Sequence, residues 1–189
     1  PILEGVTENY PQYAWQYIFV NDGSPDHSLD VLSKLALSDP KVIALDLSRN
    51  FGKEIALTAG AHEAKNADAL ICIDADLQHQ PKYLTNICDE LEKFDVVVGS
   101  RFLNNNNYKV SFVRSIAMNL LKNSVSRHIG KNMTDVTSGF RGANKKAIEI
   151  FAEKYPSEYL ADTVESLIMA HDSGLSISEI GVIIDRKST

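Results

Sequence analysis

One tryptophan, two cysteines, three methionines and six prolines are all that 189 residues offer of those types, and each scarcity excludes something. Cys72 falls inside an apolar run and Cys88 inside a helical pattern. Neither spacing suits a thiolate metal site or a disulfide framework, so both read as reduced thiols packed in a core. No apolar stretch approaches the roughly 18 residues that cross a bilayer, and no secretory leader opens the chain. Positive charge is in deficit: 19 Lys and Arg against 25 Asp and Glu leave a formal charge of -6. A nucleic-acid backbone, which demands clustered cations, is excluded as the main partner. These absences place the chain in the cytoplasm. It opens on Pro1 rather than Met, as expected of a piece of a longer chain whose other segments have room for a membrane anchor.

What is present is a hydrophobic content of 44%, enough for one sizeable core and a single domain over residues 1–189. The informative stretch is Ile71-Cys72-Ile73-Asp74-Ala75-Asp76-Leu77-Gln78-His79. An apolar run over 69–73 has the length and β-branching of a buried strand, and it stops at two carboxylates one residue apart. In extended chain, i and i+2 face the same way, so Asp74 and Asp76 share one target. Paired carboxylates repel and are costly to desolvate, which makes a cation their natural partner. Ligation by oxygen alone suits Mg²⁺ or Mn²⁺, completed by water and phosphate oxygens. The competing reading is a plain polar turn between strand and helix. His79 beside it is a further candidate ligand.

Along the chain, Tyr17-Ile18-Phe19-Val20 reads as a strand running into the turn formers Asn21-Asp22-Gly23-Ser24-Pro25-Asp26. A helix with a Leu29, Leu32, Leu35 stripe follows, then a strand over 42–47 that ends in Ser48-Arg49-Asn50-Phe51-Gly52-Lys53. The pattern predicts an Ala-rich helix over 53–65, with Gly60 permitting close packing on a sheet. Pro81 suits a helix's first turn, with Leu84, Ile87 and Leu91 as its face. Val96-Val97-Val98 is too apolar for either face to meet water. Four strands separated by three helices indicate parallel βαβ units, whose ligands lie beyond the carboxyl ends of the strands. Asp22, Arg49-Asn50 and Asp74/Asp76 all follow strands and should converge on one crevice.

The second half has another texture. Residues 104–107 are four asparagines, read as a loop. Residues 111–129 form a basic amphipathic helix with Val113, Ile116 and Leu120 on one face and Arg114, Lys122 and Arg127 beside them. It packs on the domain or lies at the inner face of a membrane. A compact polar stretch runs from Asp135 to Arg141, followed by a helix over 145–153, another beginning at Asp162-Thr163-Val164-Glu165 and closed by Gly174, and a last strand over 177–184.

Five segments, in order, carry a resemblance: Phe19-Val20-Asn21-Asp22-Gly23-Ser24-Pro25-Asp26, Leu47-Ser48-Arg49-Asn50-Phe51-Gly52-Lys53, Asp74-Ala75-Asp76-Leu77-Gln78, Thr137-Ser138-Gly139-Phe140-Arg141, and Tyr159-Leu160-Ala161-Asp162-Thr163-Val164-Glu165 with Gly174 and Glu179 beyond. Together they resemble the family 2 glycosyltransferases, in the branch similar to polyprenyl-phosphate (dolichol-phosphate mannose type) sugar transferases. The resemblance implies a GT-A fold, α/β and Rossmann-like, with a mostly parallel central sheet flanked by helices. Residues 1–100 would form the nucleotide-binding half and 101–189 the acceptor-binding half, and the family's first strand has no counterpart here. It further implies an inverting, metal-dependent transfer from a UDP-, GDP- or dTDP-sugar to a polyprenyl phosphate or glycan, in cell wall or polysaccharide synthesis, with peripheral membrane association. Asp22, with Ser24 in the same turn, would contact the nucleotide, and Arg49 and Lys53 would lie on its second loop. Asp76 would be the principal metal ligand, Asp74 its partner near the ribose, and Gln78 an added polar contact. Asn21 stands where the family often has an acidic residue.

A sugar hydroxyl acceptor needs a base, whereas a lipid phosphate is already an anion near neutral pH. Asp135, Asp162 and Glu165 are the candidate bases, although Asp162-x-x-Glu165 also has the form of a capping box. Arg141 either holds a phosphate or makes a surface ion pair. Two other functions fit a similar fold: a sugar-nucleotide pyrophosphorylase, for which no Gly-rich phosphate loop follows the first strand, and a nonenzymatic nucleotide-sugar binder.

Overall fold

Apolar strands of four or five residues alternate with helices through the first hundred positions. A computed structural model describes residues 7–8, 10–76, 78–103, 112–154 and 163–184. In order these form β1 (Tyr17–Asn21), α1 (Ser28–Ser38), β2 (Val42–Asp46), α2 (Lys53–Glu63), β3 (Ala69–Cys72), α3 (Leu84–Leu91) and β4 (Val96–Ser100). The second half supplies α4 (Phe112–Ile129), β5 (Arg141–Asn144), α5 (Lys145–Lys154), α6 (Thr163–Asp172) and β6 (Ile177–Gly181). The asparagine run at 104–107 and Asp162 lie outside the described residues.

Strands β1 and β2 pair in parallel, Tyr17 opposite Val42 through Asn21 opposite Asp46. The remaining strands form one sheet in the order β3-β5-β4-β6. β4 and β6 run parallel, while β5 is antiparallel to both β3 and β4. All strands of this sheet except β5 therefore point the same way, and helices cover both faces, as expected for an α/β fold.

The strand that the sequence pattern did not announce is β5, Arg141-Gly142-Ala143-Asn144. Nothing in it is β-branched or aromatic, so propensity argues against it; packing decides. A Cβ placed on Gly142 would lie 2.3 Å from Cγ2 of Ile87 and 3.0 Å from Cδ1 of Leu91. Glycine thus lets α3 rest directly on the backbone between β3 and β4.

Val96, Val97 and Val98 are all buried, and they divide the core by alternation. Val96 and Val98 join Val125, Ile129, Ile148, Val164 and Leu167 on one side, from α4, α5 and α6. Val97 joins Leu84, Ile87, Leu91, Phe140 and Val182 on the other. At the amino end of β4, Asp95 ties three strands together. It accepts from Asn144 Nδ2 at 3.0 Å and from the N–H and Oγ of Ser176, both at 2.8 Å. Burial alone would raise this carboxyl, but these bonds and Lys146 hold it down at about 2.

Two helices differ from expectation. Among the described side chains of α4, Val125 and Ile129 in the last turns are buried in the core, while Ile116 and Leu120 are 47% and 67% exposed. The stripe predicted through Ile116 and Leu120 is therefore not the one that meets the core. Helix α1 buries no residue fully. Gly60 does bring α2 close to the sheet, since a Cβ there would stand 3.3 Å from Cγ2 of Val20.

Candidate active site

The turns after β1 and β2 are built against each other. Gly23 has φ +63°, and a Cβ on it would fall 2.4 Å from both the carbonyl carbon of Arg49 and the nitrogen of Asn50. Only glycine accepts that backbone and that contact. Beside it, Asp22 receives the N–H of Phe51 on Oδ1 at 2.7 Å and the N–H of Gly52 on Oδ2 at 2.9 Å. Its two oxygens thus clamp the segment leading into α2. Asn21 donates through Nδ2 to Asp46 Oδ1 at 2.7 Å, and its Oδ1 accepts from the N–H of Ser24 at 3.3 Å. A carboxylate at position 21 could not donate to Asp46, which gives the departure from the acidic pattern a physical reason. The Arg49 guanidinium lies over the Phe51 ring, 4.7 Å from its centroid.

Immediately after this clamp, Lys53 starts α2 and reaches the next strand end: its Nζ is 2.6 Å from Asp74 Oδ1. Strand β3 stops at Cys72, one residue earlier than predicted, and Asp76 sits in a turn, its Oδ1 accepting the N–H of Gln78 at 3.0 Å. Strand alternation is therefore not what positions the two carboxylates; the turn after β3 does so. A Cβ on Gly139 would lie 3.0 Å from Lys53 Nζ and 3.6 Å from Asp74 Oδ2, so the 137–141 stretch backs the same ion pair. The expected convergence is thus a continuous path of contacts: Asp22 to Gly52, Lys53 to Asp74, with Gly139 behind.

His79 is buried and stacks on Phe140, ring centroids 5.0 Å apart, and its Nδ1 has no hydrogen-bond partner. Burial lowers its pKa; Asp74 and Asp76 pull upward, while Lys53 and Arg101 add to the lowering. The ring is neutral at pH 7. Cys72 and Cys88 are free, and burial pushes both thiols up to about 11.

Beyond the carboxyl end of β4, Asp135 is buried with both oxygens engaged. Arg101 donates from Nε to Oδ2 at 2.6 Å and from Nη2 to Oδ1 at 2.7 Å, and its backbone N–H reaches Oδ2 at 3.1 Å. Glu179 of β6 latches this loop by accepting the N–H groups of Thr134 and Asp135, both at 2.8 Å. Arg141 is likewise committed internally: Nε to the Ser138 carbonyl at 2.7 Å, Nη2 to the Val136 carbonyl at 3.0 Å, and Nη1 to Ser166 Oγ at 2.6 Å and the Thr163 carbonyl. These bonds make Arg141 a brace between β5 and α6. Glu165 is exposed in the first turn of α6, where a carboxylate suits the helix dipole. Asp162 falls outside the described residues.

Sequence reasoning missed Arg101. The signal was available, because Arg101 follows the carboxyl end of β4 just as the other clusters follow theirs.

No three His, Cys, Asp or Glu side chains converge as a metal cage among the described residues. Two carboxylates remain, a donor set that suits Mg²⁺ or Mn²⁺ when water and diphosphate oxygens complete the shell. Asp74 faces the ammonium of Lys53, and in their chemistry the two carboxylates fit the implied metal.

The family model described as Glycosyl transferase family 2 matches residues 1–151. The putative glycosyltransferase CsbB of Bacillus subtilis is 35% identical over 138 residues, covering 72% of this chain and 40% of that protein. The undecaprenyl-phosphate 4-deoxy-4-formamido-L-arabinose transferase of Proteus mirabilis is 31% identical over 151 residues, covering 78% and 45%. The prophage bactoprenol glucosyl transferase homolog of Escherichia coli is 39% identical over 95 residues, covering 50% and 31%. The chain thus spans less than half the length of these curated relatives. Among solved structures, glucosyl-3-phosphoglycerate synthase of Mycobacterium tuberculosis with Mn²⁺, UDP-glucose and phosphoglyceric acid superposes with a TM-score of 0.65 at 15% identity, covering 100% of this chain and 68% of that one. The shared fold is GT-A.

Proposed function

Because the chain belongs to glycosyl transferase family 2, we propose that it moves a sugar from a nucleotide-diphosphate sugar to a polyprenyl phosphate, with inversion, using Mg²⁺ or Mn²⁺ at Asp74 and Asp76. The observation that carries this reading is the path of contacts from Asp22 through Gly52 and Lys53 to Asp74. It joins the carboxyl ends of β1, β2 and β3, the side on which such sheets hold nucleotides. The divalent ion, when bound, stabilises charge building on the departing diphosphate. The chain's own part is to hold those strand ends in shape. Asp22 fixes the 49–52 turn, Gln78 orients Asp76 through its N–H, and Arg101 with Asp135 braces the segment after β4. Asp22, Ser24 and Arg49 form the nucleotide side.

The acceptor follows from chemistry and from the relatives. Both oxygens of Asp135 are taken up by Arg101, which gives it a positioning role. A lipid phosphate needs no base, because it is already anionic at neutral pH. Relatives named for undecaprenyl phosphate and bactoprenol favour the same class. Such an acceptor puts the chain to work at the inner face of a membrane, although no helix among the described residues is long and apolar enough to cross one.

The test is incubation with labelled UDP-, GDP- and dTDP-sugars plus undecaprenyl phosphate and Mn²⁺, scoring label extracted into organic solvent. Transfer from one donor is expected, falling at least about 100-fold in Asp76→Asn with an unchanged melting temperature. Full activity in that variant would remove the metal assignment. No transfer from any donor would overturn the function.

A further inference from the structure

We propose that Lys53 is the resident counter-ion of Asp74 and changes partner, from that carboxylate to the donor's diphosphate, when the divalent ion arrives. The inference deepens the reading above and rests on it.

Lysine at the first position of α2 is at the wrong end of a helix for its charge, since a cation there opposes the macrodipole. Helix stability therefore does not account for it. What it satisfies is Asp74, 2.6 Å away. The placement is built from both sides: Asp22 clamps the two residues preceding Lys53, and the missing side chain of Gly139 leaves the room its ammonium fills.

The pair is also made to open. Side chains of Lys53 and Asp74 are 48% and 36% exposed, against 12% and 0% for Arg101 and Asp135. Two ion pairs in one site thus differ in kind. The enclosed one cannot part without stranding a buried charge, whereas the open one exchanges its partner for water or another anion at little cost. A divalent ion on Asp74 sets two cations against one carboxylate, and the ammonium must yield. The diphosphate that accompanies the metal offers it a new anion within reach of the same flexible stem. Metal and nucleotide binding are thereby coupled through one side chain, and linkage makes the coupling reciprocal.

The experiment is Mn²⁺ binding followed by the EPR signal of the free ion, with and without UDP, GDP or dTDP, with thermal melts of each variant. Wild type should bind Mn²⁺ weakly alone and about tenfold more tightly with the nucleotide it accepts. Lys53→Met should bind Mn²⁺ alone about fivefold more tightly than wild type and lose most of the tightening by nucleotide. Lys53→Arg should keep the wild-type pattern. Gly139→Ala, which keeps the charge but asks the ammonium to give by a few tenths of an ångström beside Asp74, should also tighten Mn²⁺ alone, by less, separating pairing from net charge. Equal or weaker Mn²⁺ binding by both Lys53→Met and Gly139→Ala overturns the inference. If wild-type binding then still depends on Asp76, the metal site stands and only the partner exchange falls. Wild type that binds no Mn²⁺ with any nucleotide overturns both.

Discussion

Arg101 and Asp135 grip one another through two parallel bonds, Nε to Oδ2 at 2.6 Å and Nη2 to Oδ1 at 2.7 Å, with the carboxylate wholly enclosed. Removing one partner leaves the other charge buried without compensation, so Arg101→Met should cost about 3–5 kcal/mol of unfolding free energy. The double variant Arg101→Met, Asp135→Leu should recover much of that loss. Urea denaturation of both single variants and the double checks the coupling.

Asp22 is the next prediction. Its two oxygens hold the N–H groups of Phe51 and Gly52, and Asp22→Ala releases both. Unfolding free energy should fall by about 1–2 kcal/mol. The rise in melting temperature that Mn²⁺ and nucleoside diphosphate give wild type should shrink with it. Asp22→Ala with an undiminished ligand shift would show that the clamp does not shape the crevice.

Gly142→Ala should destabilise by about 1–3 kcal/mol, because its new methyl meets Cγ2 of Ile87 at 2.3 Å. Pairing it with Ile87→Ala relieves the clash, so the double variant should lose less than the sum of the two single changes. Chemical denaturation of the four proteins measures this directly.

Asp95 sets an acid limit. Its folded pKa of about 2 lies below the ordinary 3.8. Stability from this group is therefore complete above about pH 4 and is lost as pH falls from there toward 2. The shift corresponds to about 2 kcal/mol. Asp95→Asn should be less stable than wild type by that amount at pH 7 and equal to it near pH 2. Parallel acid slopes in the two proteins would contradict the assignment.

Much of the fold was legible in sequence because period and punctuation agreed locally. The strands around Phe19, Ala44 and Val97, the helices between them, and the Asp22, Arg49 and Asp74 strand ends all announce themselves by apolar runs that stop at polar turns. What could not be read were features decided at long range. Strand β5 exists because Gly142 lets Ile87 and Leu91 approach, and no local propensity encodes that. Asp135 and Arg141 looked like free site groups, but their partners Arg101 and Ser166 are 34 and 25 residues away in the chain. Ile116 and Leu120 of α4 looked like core positions, but among the described side chains of that helix Val125 and Ile129 are the ones buried in the core.

The latch at Glu179 has a bearing on where this fold can be cut. The family model matches residues 1–151, yet the carboxylate that holds the Thr134 and Asp135 amides lies 28 positions beyond that match, on a strand paired with β4. A boundary drawn at the end of that match would sever the 134–135 loop from its anchor. The mechanical unit is larger than the stretch the family model matches, and fragments for expression must run past β6.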